Sequence, residues 1–162
     1  DYAELAKLLG IAQGEEVVCI RQQVEGAITG QILLLFHSEE SRQLVHTLIE
    51  PLQPFSSGTE IDIRHFEYEA MTEIGNIIIS SCATAMSDFL GRAVRLNIPT
   101  YNEGPLDNVL SQVVEQHALL IRTSLHAVRR DVNGTLIITL SIADLNTLVG
   151  RLDKIIASLV TP

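Results

Sequence analysis

Glu73 and Asn76 stand three positions apart in a stretch whose helical periodicity gives them a common outlook. At roughly 100° per residue, Glu69, Glu73, Asn76, Ser80, Ala83 and Ser87 fall on one narrow face. The remaining positions, among them Met71, Ile74, Ile77, Ile78, Ile79, Cys82, Ala85, Met86 and Phe89, are apolar almost all the way round. Such a helix is expected to be largely buried, leaving the polar stripe as the side that water or a partner sees. A carboxylate there can pair with a partner's cation, and a carboxamide can both donate to and accept from one water molecule. The stripe holds no Cys or His and only two carboxylates, which is too little for a covalent nucleophile or a metal cage. What remains is positioning. Phosphoryl transfer needs little more if the substrate brings its own metal ion and cation, because catalysis then reduces to lining up an attacking water. An ordinary solvated face would show the same pattern.

The elements around this helix follow from periodicity and breakers. Tyr2, Leu5, Leu8 and Leu9 read as the tail of a helix ended by Gly10. Val17 to Val24 and Ile28 to Phe36 read as a hairpin, and Ser38 with Glu39 and Glu40 as the capped start of a helix ended by Pro51. Pro51 to Thr59 is loop, and the site-bearing helix runs from about Asp62 or Phe66 to Leu90, ended by Gly91. Val94 to Pro99 alternates as a strand, Asn102 to Pro105 is loop, and Leu106 to Val114 is a short helix. Ala118 to Val128 and Thr135 to Leu140 form a second hairpin, with Asn133-Gly134 as its turn. Ser141 and Asp144 match a capping box opening a last helix through Leu145, Leu148, Leu152, Ile155, Ile156 and Leu159.

A repeat runs through this order. Gly30 to Phe36, followed by Leu44, Val45 and Leu48, matches Gly134 to Leu140, followed by Leu148, Val149 and Leu152; likewise Leu9-Gly10 matches Leu90-Gly91. The expected fold class is α/β: two pseudo-twofold helix–hairpin–helix halves sharing one antiparallel-type sheet, with two long helices on one face.

Composition narrows the function. The 162 residues are 46% hydrophobic, enough for a real core, with 4% aromatic residues and no Trp to stack on bases. A net charge of −9 offers no footprint for a nucleic acid or an anionic membrane. No apolar run approaches a membrane span, and Asp1-Tyr2-Ala3-Glu4 has no signal-peptide character. Cys19 and Cys82 read as reduced, buried thiols of a cytoplasmic protein, and the five histidines show no metal-ligand spacing. Because the chain opens inside a helical pattern, a longer parent sequence is expected.

Glu73-Ile-Gly-Asn76-Ile, then Ser80-Ser81, Ala83-Thr-Ala85, Ser87-Asp-Phe-Leu-Gly91 and the strand ending at Pro99 resemble the CheC family, which includes CheX and the related domain of FliY. The resemblance covers nearly the whole chain, residues 1–162, as one CheC-like domain. It implies a phosphatase acting on the phosphoaspartate of a CheY-like response regulator in chemotaxis or two-component signalling. Asn76 would orient the attacking water, and Glu73 would bind the regulator's active-site lysine. Glu69 would have a supporting role, and the small side chains of Ser80, Ala83 and Ser87 would let the partner come close. No intrinsic cofactor or metal is implied; the Mg²⁺ belongs to the regulator. The partners are a phosphorylated receiver domain and, as a second candidate, another copy of this chain.

Two departures stand out. The family's first motif position, Asp or Ser, is Glu69 here, and the register of the repeat puts any first site upstream of Asp1. The first half also lacks a counterpart of Val94 to Pro99, which is closer to CheX than to a two-site CheC. A non-catalytic interaction or dimerisation domain with a degenerate site is the alternative.

Overall fold

Two runs of apolar residues with few polar interruptions, Glu16–Gly26 and Gly30–His37, form strands β1 and β2, joined as an antiparallel hairpin. Val17, Val18, Cys19 and Ile20 are all buried, as are Ile32 to Phe36, so the sheet is covered on both faces. This computed structural model describes residues 6–7, 9–12, 14–49, 60–111, 117–127 and 130–160. Helix α1 (Ser38–Ile49) follows β2, and α2 (Glu60–Leu90) is the long site-bearing helix. Then come β3 (Val94–Leu96), β4 (Thr100–Pro105), the short α3 (Leu106–Leu110), β5 (His117–Ala127), β6 (Arg130–Leu140) and α4 (Ile142–Val160).

The sheet runs β3-β1-β2-β6-β5, with β4 also pairing β1, and every pairing is antiparallel. Its centre carries the repeat. Leu33 and Ile137, each the fourth residue counted from Gly30 and Gly134, pair directly across the β2–β6 seam. The repeat glycines do matching work there. A Cβ on Gly30 would run into the backbone of Thr139, and one on Gly134 would meet the ring of Phe36 at 2.8 Å. The helix ends match as well. Gly10 and Gly91 sit at φ 72° and 64°, and each is followed by the paired bonds of a Schellman motif, Ile11 N to Ala6 O and Arg92 N to Ser87 O. The α/β architecture of two related halves sharing an antiparallel sheet is therefore the observed one.

The sheet's two faces carry separate cores. Val18, Ile20, Val24, Ile32, Leu34, Phe36, Leu136, Ile138 and Leu140 point to one side, where α1, α2 and α4 pack. Val17, Cys19, Leu33, Leu35 and Ile137 point to the other, beneath Ala6, Leu9, Ile11 and the Leu106, Val109 and Leu110 of α3.

Four local expectations are corrected. Asn102 to Pro105 is strand rather than loop, because it continues the β1 edge beyond Pro99. Asn133-Gly134 lies inside β6, opposite Ser124 and Thr123, and glycine is needed there beneath Phe36 rather than for a turn. Ser38 opens α1, but its buried Oγ has no partner among the described residues, so it makes no capping bond. The short helix ends at Leu110. By contrast, Ser141 does cap its helix: Asp144 N–H donates to Ser141 Oγ at 3.1 Å, and that hydroxyl donates to Asp144 Oδ2 at 2.7 Å, in place of the Ser141 N–H that a full capping box would engage. The loop expected over Pro51 to Thr59 lies outside the described residues.

Candidate functional site

Helix α2 is seated on β1 and on the two strands, β3 and β4, that pair along its outer side. Its N-terminal part meets β4 where the Tyr68 and Tyr101 rings pack edge to face, 5.0 Å between centroids. Burial and the neighbouring Glu103 carboxylate push the Tyr101 phenol well above its ordinary pKa. The middle of the helix presses on β1 at Gly75, where a Cβ would stand 2.6 Å from Cβ, Cγ1 and Cγ2 of Ile20. The C-terminal part meets β3, with Val94 N–H donating to Ser87 Oγ at 2.9 Å. Met71 and Ile79, on the ridge shared with Gly75, are fully buried. The glycine between Glu73 and Asn76 is thus a point of close helix–strand approach that a side chain would hold apart.

Glu73 and Asn76 are brought to the same side of α2, Glu73 exposed and Asn76 half-buried. Among the described residues the Glu73 carboxylate makes no ion pair, which leaves it available to a cation from outside. Asn76 is anchored at one end only. Its Oδ1 accepts from Gln22 Nε2 at 3.2 Å and, at a long 3.5 Å, from Ser80 Oγ, while its Nδ2 engages nothing among the described residues. The orientation of both amides follows from a fixed group. The Asn97 carbonyl can only accept, so Gln22 turns its nitrogen to it at 2.9 Å, and the same nitrogen then requires an oxygen from Asn76.

The outer surface differs from the expected stripe. Glu69 is exposed and paired with His65 Nε2 at 3.2 Å, one turn back. Ser80 is half-buried beside Asn76. Ala83 is buried at 3% exposure, and the half-buried Ser87 donates its hydroxyl to Ala83 O and accepts Val94 N–H, both at 2.9 Å. Their place is taken by Ile77, 57% exposed, with Ser81, Thr84 and Asp88. Ser81 and Thr84 fold their hydroxyls back onto Ile77 O and Ser80 O at 2.8 and 2.9 Å, which keeps this surface shallow. Their helical spacing with Glu73 was present in the sequence, but the apolar Ile77 between them hid it.

Thiol chemistry has no foothold here. Cys19 and Cys82 are separate free thiols; burial pushes Cys19 up to about 12 and raises Cys82 in the same direction. Among the described residues no three His, Cys, Asp or Glu side chains converge to hold a metal ion, and no helix is long and apolar enough to cross a membrane.

Comparison with solved structures places this architecture. Over 85% of this chain and 73% of the other, it superposes on Thermotoga maritima FliY with a TM-score of 0.62 at 15% identity. A chain of the CheX-CheY-BeF3-Mg²⁺ complex from Borrelia burgdorferi matches with a TM-score of 0.57 at 16% identity, covering 86% of this chain and 92% of that one. Chemotaxis protein CheX from Desulfovibrio desulfuricans matches at 0.53 and 15% identity, covering 80% and 77%. The protein has a fold of the CheX and FliY type. The model of the CheC-like family matches residues 68–103, from the site-bearing part of α2 through β3 to β4.

Proposed function

We propose that this protein is a phosphatase for the phosphoaspartate of a CheY-like receiver domain, working in a cytoplasmic signalling setting. The observation that carries the reading is the pairing on α2 of an exposed carboxylate with a half-buried carboxamide, neither the carboxylate nor the amide nitrogen being engaged among the described residues, on a shallow surface that another protein can approach. Glu73 pairs with the receiver's lysine and sets the docking angle. Asn76 holds a water in line with the phosphorus. As the water oxygen bonds to phosphorus, the bond to the aspartyl oxygen breaks, releasing inorganic phosphate and the free aspartate, while the receiver's own Mg²⁺ balances the charge. The work of this chain is alignment, for which two side chains suffice. A fold shared with a chain of a CheX–CheY complex supports the choice of partner.

The test is decay of phosphorylated receiver in excess Mg²⁺, over the receiver's own background. Asn76→Ala is expected to abolish the acceleration while costing the fold only about 0.5–1.5 kcal/mol, the worth of its hydrogen bond to Gln22. Glu73→Ala is expected to weaken association by roughly 1.5–3 kcal/mol, the worth of a charge-assisted contact, and to flatten the salt dependence. If no receiver responds, or if Asn76→Ala accelerates decay as the parent does, the phosphatase reading is lost. The non-catalytic interaction reading then takes its place, favoured by the exposed apolar side chains of α4, Val149, Leu152 and Ile156.

A further inference from the structure

We infer that Gln22 is a positioning residue that sets the direction in which Asn76 presents its amide; the inference rests on the phosphatase reading of Asn76. The helix-facing side of β1 reads Val18, Ile20, Gln22, Val24, so one carboxamide interrupts an apolar row. Gln22 is 3% exposed and lies beneath α2, the helix that carries Asn76. Packing alone does not ask for it. Its Oε1 is buried with no partner among the described residues, a cost that a leucine or methionine would avoid.

What the amide provides is a fixed sense of direction. Asn97 is tied to the main chain of β1 by its own N–H, donated to Gln23 O at 3.0 Å. Its carbonyl takes one hydrogen of Gln22 Nε2, and the other hydrogen goes to Asn76 Oδ1. Backbone geometry in the break between β3 and β4 is thereby relayed to the surface, and Asn76 offers Nδ2–H outward as a donor. A water that accepts this hydrogen bond has one lone pair engaged and another free to attack phosphorus. Without Gln22, Asn76 can turn over and present its oxygen, or change rotamer.

The experiment is steady-state dephosphorylation of an acetyl-phosphate-charged receiver domain by the parent, Gln22→Leu, Gln22→Glu, Asn76→Ala and the Gln22→Leu, Asn76→Ala double variant, each checked for a native thermal transition. Gln22→Leu is expected to lower kcat roughly tenfold to a hundredfold with KM unchanged, because misplacement of an aligning group carries that cost. Added to Asn76→Ala it should lower the rate no further. Gln22→Glu has no hydrogen to donate when ionised and only one when protonated, so it cannot serve Asn97 O and Asn76 Oδ1 together and should be slow at pH 8. A kcat for Gln22→Leu equal to the parent's overturns the inference, as does an equal further loss on the Asn76→Ala background or a kcat for Gln22→Glu at pH 8 equal to the parent's. The phosphatase reading fails by a different result, full activity of Asn76→Ala.

Discussion

Helices α2 and α4 pack on the same face of the sheet and are held there by opposite means. Helix α2 is held by shape: Gly75 lets it down onto Ile20, and Met71 and Ile79 are fully buried on either side of that contact. In α4 no described side chain is buried, and Leu148 reaches the core only partly. Polar bonds take over instead. The Ser141–Asp144 cap starts the helix, Asp144 Oδ2 also accepts Thr29 N–H at 3.2 Å, and Arg151 Nε donates to Phe89 O at 3.1 Å. The contrast shows what a positioned side chain demands. Asn76 has to meet Gln22 within a few tenths of an ångström, and close packing around a glycine supplies that tolerance, whereas a helix that carries no such contact can be pinned at its end.

The sharpest way to break this contrast is a matched pair of glycine substitutions with a cap deletion between them. Gly75→Ala is expected to lose ~1–3 kcal/mol by overpacking against the branched Ile20 side chain, even after a gain of up to about 1 kcal/mol in helix propensity. Denaturant unfolding would measure it, and an unchanged midpoint would mean that α2 is not closely seated. Ser141→Ala should cost about 1 kcal/mol, the usual worth of an N-cap, if polar bonds rather than packing hold α4. Gly150→Ala, where an added Cβ meets nothing within 4 Å, should stabilise by ~0.5–1 kcal/mol. Opposite signs for the two glycines are the signature to look for in the same unfolding series.

Much of this was legible in the residues. The Gly30 and Gly134 repeat announced a symmetric pair of hairpins, because each glycine is demanded by a cross-strand contact that a side chain would fill. The cap at Ser141 was readable because its bonds with Asp144 are local. Misreadings occurred where a tertiary contact decided the matter. Asn133-Gly134 has the chemistry of a turn, but Phe36, far away in sequence, claims the glycine for the strand. Ala83 has the helical phase of the site but is 3% exposed, and helical phase says nothing about which neighbour lies over a face. Gln22 was passed over although its signal was present, a lone amide in an alternating apolar row; its meaning depends on Asn76 and Asn97, which only folding brings to it.

The direct pairing of Leu33 with Ile137 also bears on how the chain reaches its fold. Each hairpin closes a short loop and can zip within microseconds, whereas the seam between them joins strands about a hundred positions apart and carries the larger loop-closure cost. The slow event is therefore expected to be the meeting of two ready-made hairpins in one register, with refolding in the millisecond-to-second range of non-local sheets rather than that of helical bundles. Stopped-flow refolding would measure it, and a microsecond rate would place the seam's formation elsewhere in the sequence of events. Register at that meeting is strictly policed by the two cores: a slip by one residue would carry Leu33 or Ile137 out of the lower core and into the space filled by Leu34 and Ile138.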